Sequence, residues 1–158
     1  WTVECLARRG GRLPVLDVSA HARVVELVRG LVAERLGGET GIVDGVHDVS
    51  GGGLGVALAE MACATGMGLR VRGVAGHPEL FGEAPSRVVV CTRHPEELAA
   101  RAGEAGVGVR VLGQAGGERV VVEGLVDLPL AEVAESRSRL LPSLLDDLAP
   151  AVAEELAG

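Results

Sequence analysis

Asp48, Ser50 and the run Gly51, Gly52 and Gly53 place a carboxylate, a hydroxyl and three unhindered backbone amides in one short stretch. A carboxylate of this kind suits Mg²⁺, which prefers one or two carboxylates together with phosphate oxygens. A serine at a helix start caps the first amides or shares them with an anion. Glycine accepts positive φ and lets a ligand or another backbone come close. Free N–H groups and a partial positive charge mark the start of a helix. Together these groups describe a seat for a magnesium nucleotide or a phosphoester. The plainer alternative is a glycine-rich turn that only packs a helix on a strand.

The flanking residues supply the elements that would position this seat. Ile42, Val43 and Val46 precede it and read as a strand. Apolar residues then recur at 54, 57, 58, 61 and 62, which predicts a helix with one buried face. That helix is expected to run to about Thr65 and to close at Gly66. His47 sits beside the carboxylate. It either orients Asp48 or is a satisfied histidine at the strand end.

Length and composition narrow the function classes. At 158 residues the chain can bury a sizeable core, and 47% hydrophobic content argues against disorder. Only Trp1 and Phe81 are aromatic, so Val, Leu and Ala must build that core. All 15 cationic residues are arginine, the net charge is −7, and no basic stripe is interleaved with aromatics. Nucleic acid is therefore not an expected partner. No apolar run approaches a membrane span, and none is an expected membrane anchor. Cys5, Cys63 and Cys91 lack metal spacing and read as reduced thiols, which points to the cytoplasm. A first residue of Trp leads us to expect a domain excised from a longer chain.

Taken in order, residues 1–16 read as a linker or extended arm. A helix capped by Asp17 or Ser19 is expected to reach Leu36, with Val24, Leu27, Val28, Leu31 and Val32 on its apolar face and Gly37 and Gly38 at its end. Leu69 to Val74 reads as a half-exposed strand, and Gly76, His77 and Pro78 as a loop. Ser86 to Thr92 reads as a buried strand. Pro95 opens a helix with Glu96 and Glu97 in its first turn, ending near Gly106. Val107 to Leu112 and Arg119 to Glu123 read as a hairpin across Gly116 and Gly117. Pro129 is expected to open a closing helix to about Leu140, and residues 142–158 a helical tail. The fold class is α+β, an α/β layered domain over 17–141: a mixed β-sheet covered by helices.

Two motifs occur in order, His47-Asp48-Val49-Ser50-Gly51-Gly52-Gly53-Leu54 and Leu80-Phe81-Gly82-Glu83-Ala84-Pro85-Ser86-Arg87. Their pairing, with Leu125 to Leu130 as a third echo, resembles the C-terminal domain of the synthetase subunit of phosphoribosylformylglycinamidine synthase. That is an AIR synthase-related C-terminal domain, and the resemblance covers roughly residues 13–140. It implies an ATP-dependent ligase of de novo purine biosynthesis that converts formylglycinamide ribonucleotide and ammonia to formylglycinamidine ribonucleotide. It implies Mg²⁺ and ATP/ADP as cofactors, with Asp48 as a metal contact and Ser50 as a phosphate contact. Gly51, Gly52 and Gly53 would offer backbone approach to the phosphate. The implied partners are the amino-terminal domains of a parent chain, a glutaminase subunit and a small accessory subunit. No residue here is expected to be catalytic, and the domain alone is expected to bind or buttress nucleotide without turnover.

One position departs from the family. Gly51 stands where an acid is usual, which removes a second carboxylate from beside Asp48. Three glycines in a row look more like aminoimidazole ribonucleotide synthetase, so that sister enzyme remains an alternative, as does a non-catalytic scaffold module. Glu83 and Arg87 bracket a turn. They read either as contacts to another domain or a nucleotide, or as a local ion pair. Phe81 is expected in the core, and His21, His77 and His94 in solvent. Asp44 is expected to cap the turn before Val46.

Overall fold

A computed structural model of the protein describes residues 7, 14–37 and 41–139. Most of the expected arm and all of the expected tail from 142 to 158 lie outside the described residues, as do Cys5 and Gly38.

Helix α1 (Val18–Leu36) begins where expected. Asp17 is its cap, and its carboxylate accepts the Ala20 N–H at 2.9 Å. Leu31 is the one fully buried residue of its apolar face, while Val24, Leu27, Val28 and Val32 are half-buried. Strand β1 (Val43–Asp48) follows and carries His47 and Asp48 inside it. Helix α2 (Gly53–Thr65) buries Leu54, Ala57, Leu58 and Ala62, as its spacing predicts. It closes on Gly66, whose φ of 66° is the left-handed cap that glycine supplies. Next come β2 (Leu69–Val71), the one-turn helix α3 (His77–Phe81), β3 (Val88–Thr92) and α4 (Pro95–Glu104). The remaining described elements are β4 (Gly113–Ala115), β5 (Arg119–Val122), β6 (Val126–Pro129) and the helix α5, described over 130–139.

The described residues form an α+β domain with two sheets. β1 and β3 pair antiparallel, with an irregularity in register between Val43 and Gly45. The other sheet has the order β4-β2-β5-β6 and is mixed, since β2 runs parallel to β5 and antiparallel to β4. Each has its own core. The larger joins Leu54 and Leu58 of α2, Leu80 of α3, and Val71, Val120 and Val122 of the four-stranded sheet. The smaller gathers Leu31, Ile42, Val43 and Leu98 between α1, β1 and α4. Leu80 is fully buried, whereas Phe81 is only partly buried and packs against the larger core.

Several expectations are corrected. The hairpin between 107–112 and 119–123 does not form. Residues 107–112 hold no strand, and β2 lies between β4 and β5, with Leu69 opposite Ala115 on one side and Val120 on the other. The two glycines serve this insertion. The Gly116 N–H donates to the Gly68 carbonyl, and the Gly68 N–H to the Gly117 carbonyl. The hairpin that does form joins β5 to β6 across Gly124, whose φ is 77°. β2 stops at Val71, the loop expected at His77 is helical, and Pro129 ends a strand rather than opening the helix. β3 starts at Val88 and is half-buried along its length rather than buried. Asp44 lies in β1, where its carboxylate meets Arg93 at 3.3 Å, and does not cap a turn.

Candidate functional site

Successive side chains of a strand point to opposite faces, and this separates His47 from Asp48. His47 Nε2 lies 3.1 Å from Glu60 Oε2 of α2, and its Nδ1 lies 2.7 Å from the Asp48 carbonyl oxygen. Glu60 also meets Arg137 of α5 at 3.3 Å. His47 is thus a satisfied histidine, and its Nδ1 also comes within 3.8 Å of Asp48 Oδ1. The Asp48 side chain is 71% exposed and lies on the lining of a different cleft. The Ser50 hydroxyl bonded to it, and its own backbone N–H, hold its carboxyl below the usual aspartate range.

The glycine turn is built by backbone contacts. Gly52 is the cap of α2, with φ of 84°, and the Ser50 side chain makes no capping bond. Of the two roles open to Ser50, capping is thus not seen: the cap position falls on Gly52, and the hydroxyl bonds to Asp48. The Gly53 N–H donates to the Ser50 carbonyl at 2.9 Å. Gly53 has φ of 72°, and a Cβ there would stand 2.7 Å from the Phe81 carbonyl carbon and 2.9 Å from the Leu80 oxygen. Its lack of a side chain lets the start of α2 press on the end of α3. A Cβ at Gly51 would meet nothing within 4 Å.

Residues 83–88 form a strap against this turn. The Gly52 N–H donates to Glu83 Oε1 at 2.9 Å, and the Val49 N–H donates to the Arg87 carbonyl at 2.9 Å. Arg87 donates to the Gly82 carbonyl at 3.4 Å, and no Glu83–Arg87 ion pair is present among the described residues. The two motifs, 31 residues apart at this bond, are therefore in direct contact. Between the strap and α1 lies a cleft of about 570 Å³, with Asp48, Ser50 and Glu83 on its lining beside Val24, Val28 and Val88. His21 Nδ1 and Ser86 Oγ meet at 3.0 Å and join α1 to the strap. Ser86 adopts φ of 64°, a conformation uncommon for a residue with a side chain.

The structure thus brings Asp48, Ser50 and Glu83 to one cleft, with Gly51 exposed beside them. Two of the amides expected to face an anion, those of Gly52 and Gly53, already have protein acceptors. Glu83 was recognised in the sequence without its partner; His21 and Ser86 carried no signal of a shared site, since their contact spans 65 residues. The donor set is oxygen-rich and anionic, which fits a hard cation such as Mg²⁺ better than a bare anion. No group of three or more metal-type ligands is present among the described residues, so any cation here would need oxygens from its ligand or from water.

Residues 5–124 match the family described as AIR synthase related protein, C-terminal domain. The chain belongs to this family. It is also similar to phosphoribosylformylglycinamidine synthase subunit PurL from several bacteria. Identity is 36% with that of Allorhizobium ampelinum over 95% of the chain and 20% of the relative. It is 38% with that of Rhodospirillum rubrum, over 90% of the chain and 19% of the relative. The chain therefore spans about a fifth of the length of the relatives it matches. Among solved structures, Thermotoga maritima PurL complexed with ATP aligns with a TM-score of 0.63 at 21% identity, over 80% of this chain and 23% of that one. The PurLQS structure from the same organism aligns at 0.62 and 19% identity, over 84% and 24%. These likenesses establish a shared fold.

Proposed function

We propose that this chain is the C-terminal domain of the synthetase subunit of phosphoribosylformylglycinamidine synthase. The parent would be the ATP-dependent ligase that joins ammonia, drawn from glutamine, to formylglycinamide ribonucleotide and yields formylglycinamidine ribonucleotide. The observation that carries this reading is the similarity to PurL over about nine tenths of the chain. The direct contact between the two motifs supports it, because the Glu83 strap is the part that the sister aminoimidazole ribonucleotide synthetase is not expected to have.

Within that reading the domain binds or buttresses a nucleotide and carries no catalytic residue. Asp48 contacts Mg²⁺, Ser50 faces the phosphate, and Gly51 offers the open approach. The Gly52 and Gly53 side of the turn holds the geometry. Thermotoga maritima PurL, whose fold this chain shares, is solved complexed with ATP, ADP and AMPPCP, which supports a nucleotide ligand. Partners in the same reading are the amino-terminal domains of the parent, a glutaminase subunit and a small accessory subunit. The cytoplasm is the compartment. Cys63 and Cys91 are free thiols, and among the described residues no helix is long and apolar enough to cross a membrane.

A scaffold reading has one observation in its favour: the Gly52 and Gly53 amides already have acceptors within the protein. The two readings part in an assay of the parent ligase carrying Asp48→Ala. Loss of ATP-dependent product formation by tenfold or more, with the fold intact, is the expected result. Wild-type turnover would make the domain a scaffold.

A further inference from the structure

We propose that Glu83 is a positioning residue for this site and holds its glycine turn from across the fold through the Gly52 amide. The inference rests on the nucleotide reading above and adds a residue to it. Gly51 is exposed, and a Cβ there would meet nothing within 4 Å. The acceptor that holds the turn comes instead from the strap, where Glu83 Oε1 accepts the Gly52 N–H at 2.9 Å. A charged acceptor makes this a strong class of hydrogen bond. It acts on the residue whose φ of 84° reverses the chain between Asp48 and α2. It also acts beside Ser50, whose hydroxyl is bonded to Asp48.

The remaining bonds make the strap a rigid mount. The Val49 N–H to Arg87 carbonyl bond fixes its far end beside β1. The close approach of Gly53 to Phe81 fixes its near end. Glu83 stands between these two points and is the side chain that reaches the turn. Held this way, Gly52 is withdrawn from the ligand, and Asp48 and Ser50 keep one orientation toward the cleft. Glu83 thus acts through the turn and not by touching phosphate.

Glu83→Gln and Glu83→Ala separate position from charge. Glutamine keeps a carbonyl acceptor for the Gly52 N–H and loses the charge; alanine loses both. Isothermal titration of the 158-residue chain with Mg-ADP should give a dissociation constant raised about tenfold in Glu83→Ala and by less than about threefold in Glu83→Gln. Equal affinity in wild type and Glu83→Ala would overturn the proposal. So would an equal loss in both variants, since Glu83 would then act by charge.

A second readout does not need nucleotide. In hydrogen-exchange spectra the Gly52 amide should be protected in wild type and in Glu83→Gln and exchange faster in Glu83→Ala. A Gly52 amide equally protected in Glu83→Ala means that Glu83 does not hold the turn, and the proposal fails. If wild type ignores Mg-ADP while Gly52 loses its protection in Glu83→Ala, the nucleotide reading fails and the hold of Glu83 on the turn stands.

Discussion

His47 and Asp48 are neighbours on β1, yet they belong to two different surfaces. His47 faces a cleft of about 280 Å³ where its Nε2 meets Glu60, which in turn pairs with Arg137. Asp48 faces the larger cleft, where its bonded side-chain partner is the neutral hydroxyl of Ser50 and its carboxylate stays largely exposed. The His47 side is lined by paired groups; the Asp48 side keeps a largely exposed carboxylate, one oxygen of which lies 3.8 Å from His47 Nδ1. The difference separates a structural histidine from a candidate ligand carboxylate, although the two are adjacent in sequence.

The largest expected effect comes from the turn that both surfaces share. Gly53→Ala would drive a Cβ into the backbone of Leu80 and Phe81 at a positive φ. We expect a loss of about 3 kcal/mol or more in urea unfolding, combining overpacking with backbone strain. Gly51→Ala, two residues earlier, meets open space and should stay within about 0.5 kcal/mol of wild type. Equal costs at the two glycines would break the assignment of Gly53 to packing.

Glu60→Ala should cost about 1 kcal/mol or less by the same measurement, because its ion pairs are partly exposed. It should leave Mg-ADP affinity unchanged. A loss of nucleotide binding in Glu60→Ala would join the two clefts that the strand separates here.

The smallest expected effect is in pH dependence. The folded state holds the Asp48 carboxyl below its ordinary range, so its contribution favours folding above about pH 4 and fades as pH falls through the lower folded value. Thermal midpoints of wild type and Asp48→Asn should therefore converge below about pH 4 and keep a constant separation from pH 5 to 8. A gap that opens on acidification would reverse the assigned sign.

Local features of this fold were legible in the sequence because their causes are local. The Asp17 cap and the buried positions of α2 follow from spacing within one or two turns. Of the two roles open to Ser50, capping is not the one seen, because α2 starts at Gly53 and its cap position falls on Gly52. The order of the four-stranded sheet was hidden, since the glycines that read as a hairpin turn make room for β2, which lies far earlier in the chain. The site shows the same division. Asp48, Ser50 and the glycines announce themselves by proximity. Glu83 reaches the turn from 31 residues away, and His21 reaches Ser86 from 65. Such contacts are set by packing of whole elements, which no short window of sequence contains.

Thermal unfolding of the chain with and without Mg-ADP, in wild type and Asp48→Ala, tests the central claim most directly. At a hundredfold excess over the dissociation constant, a single site adds about 2.7 kcal/mol of stability. The account predicts that gain in wild type and its disappearance in Asp48→Ala, with the unliganded midpoints close together. No gain in wild type, or an equal gain in the variant, would contradict the assignment of this cleft as a magnesium-nucleotide seat.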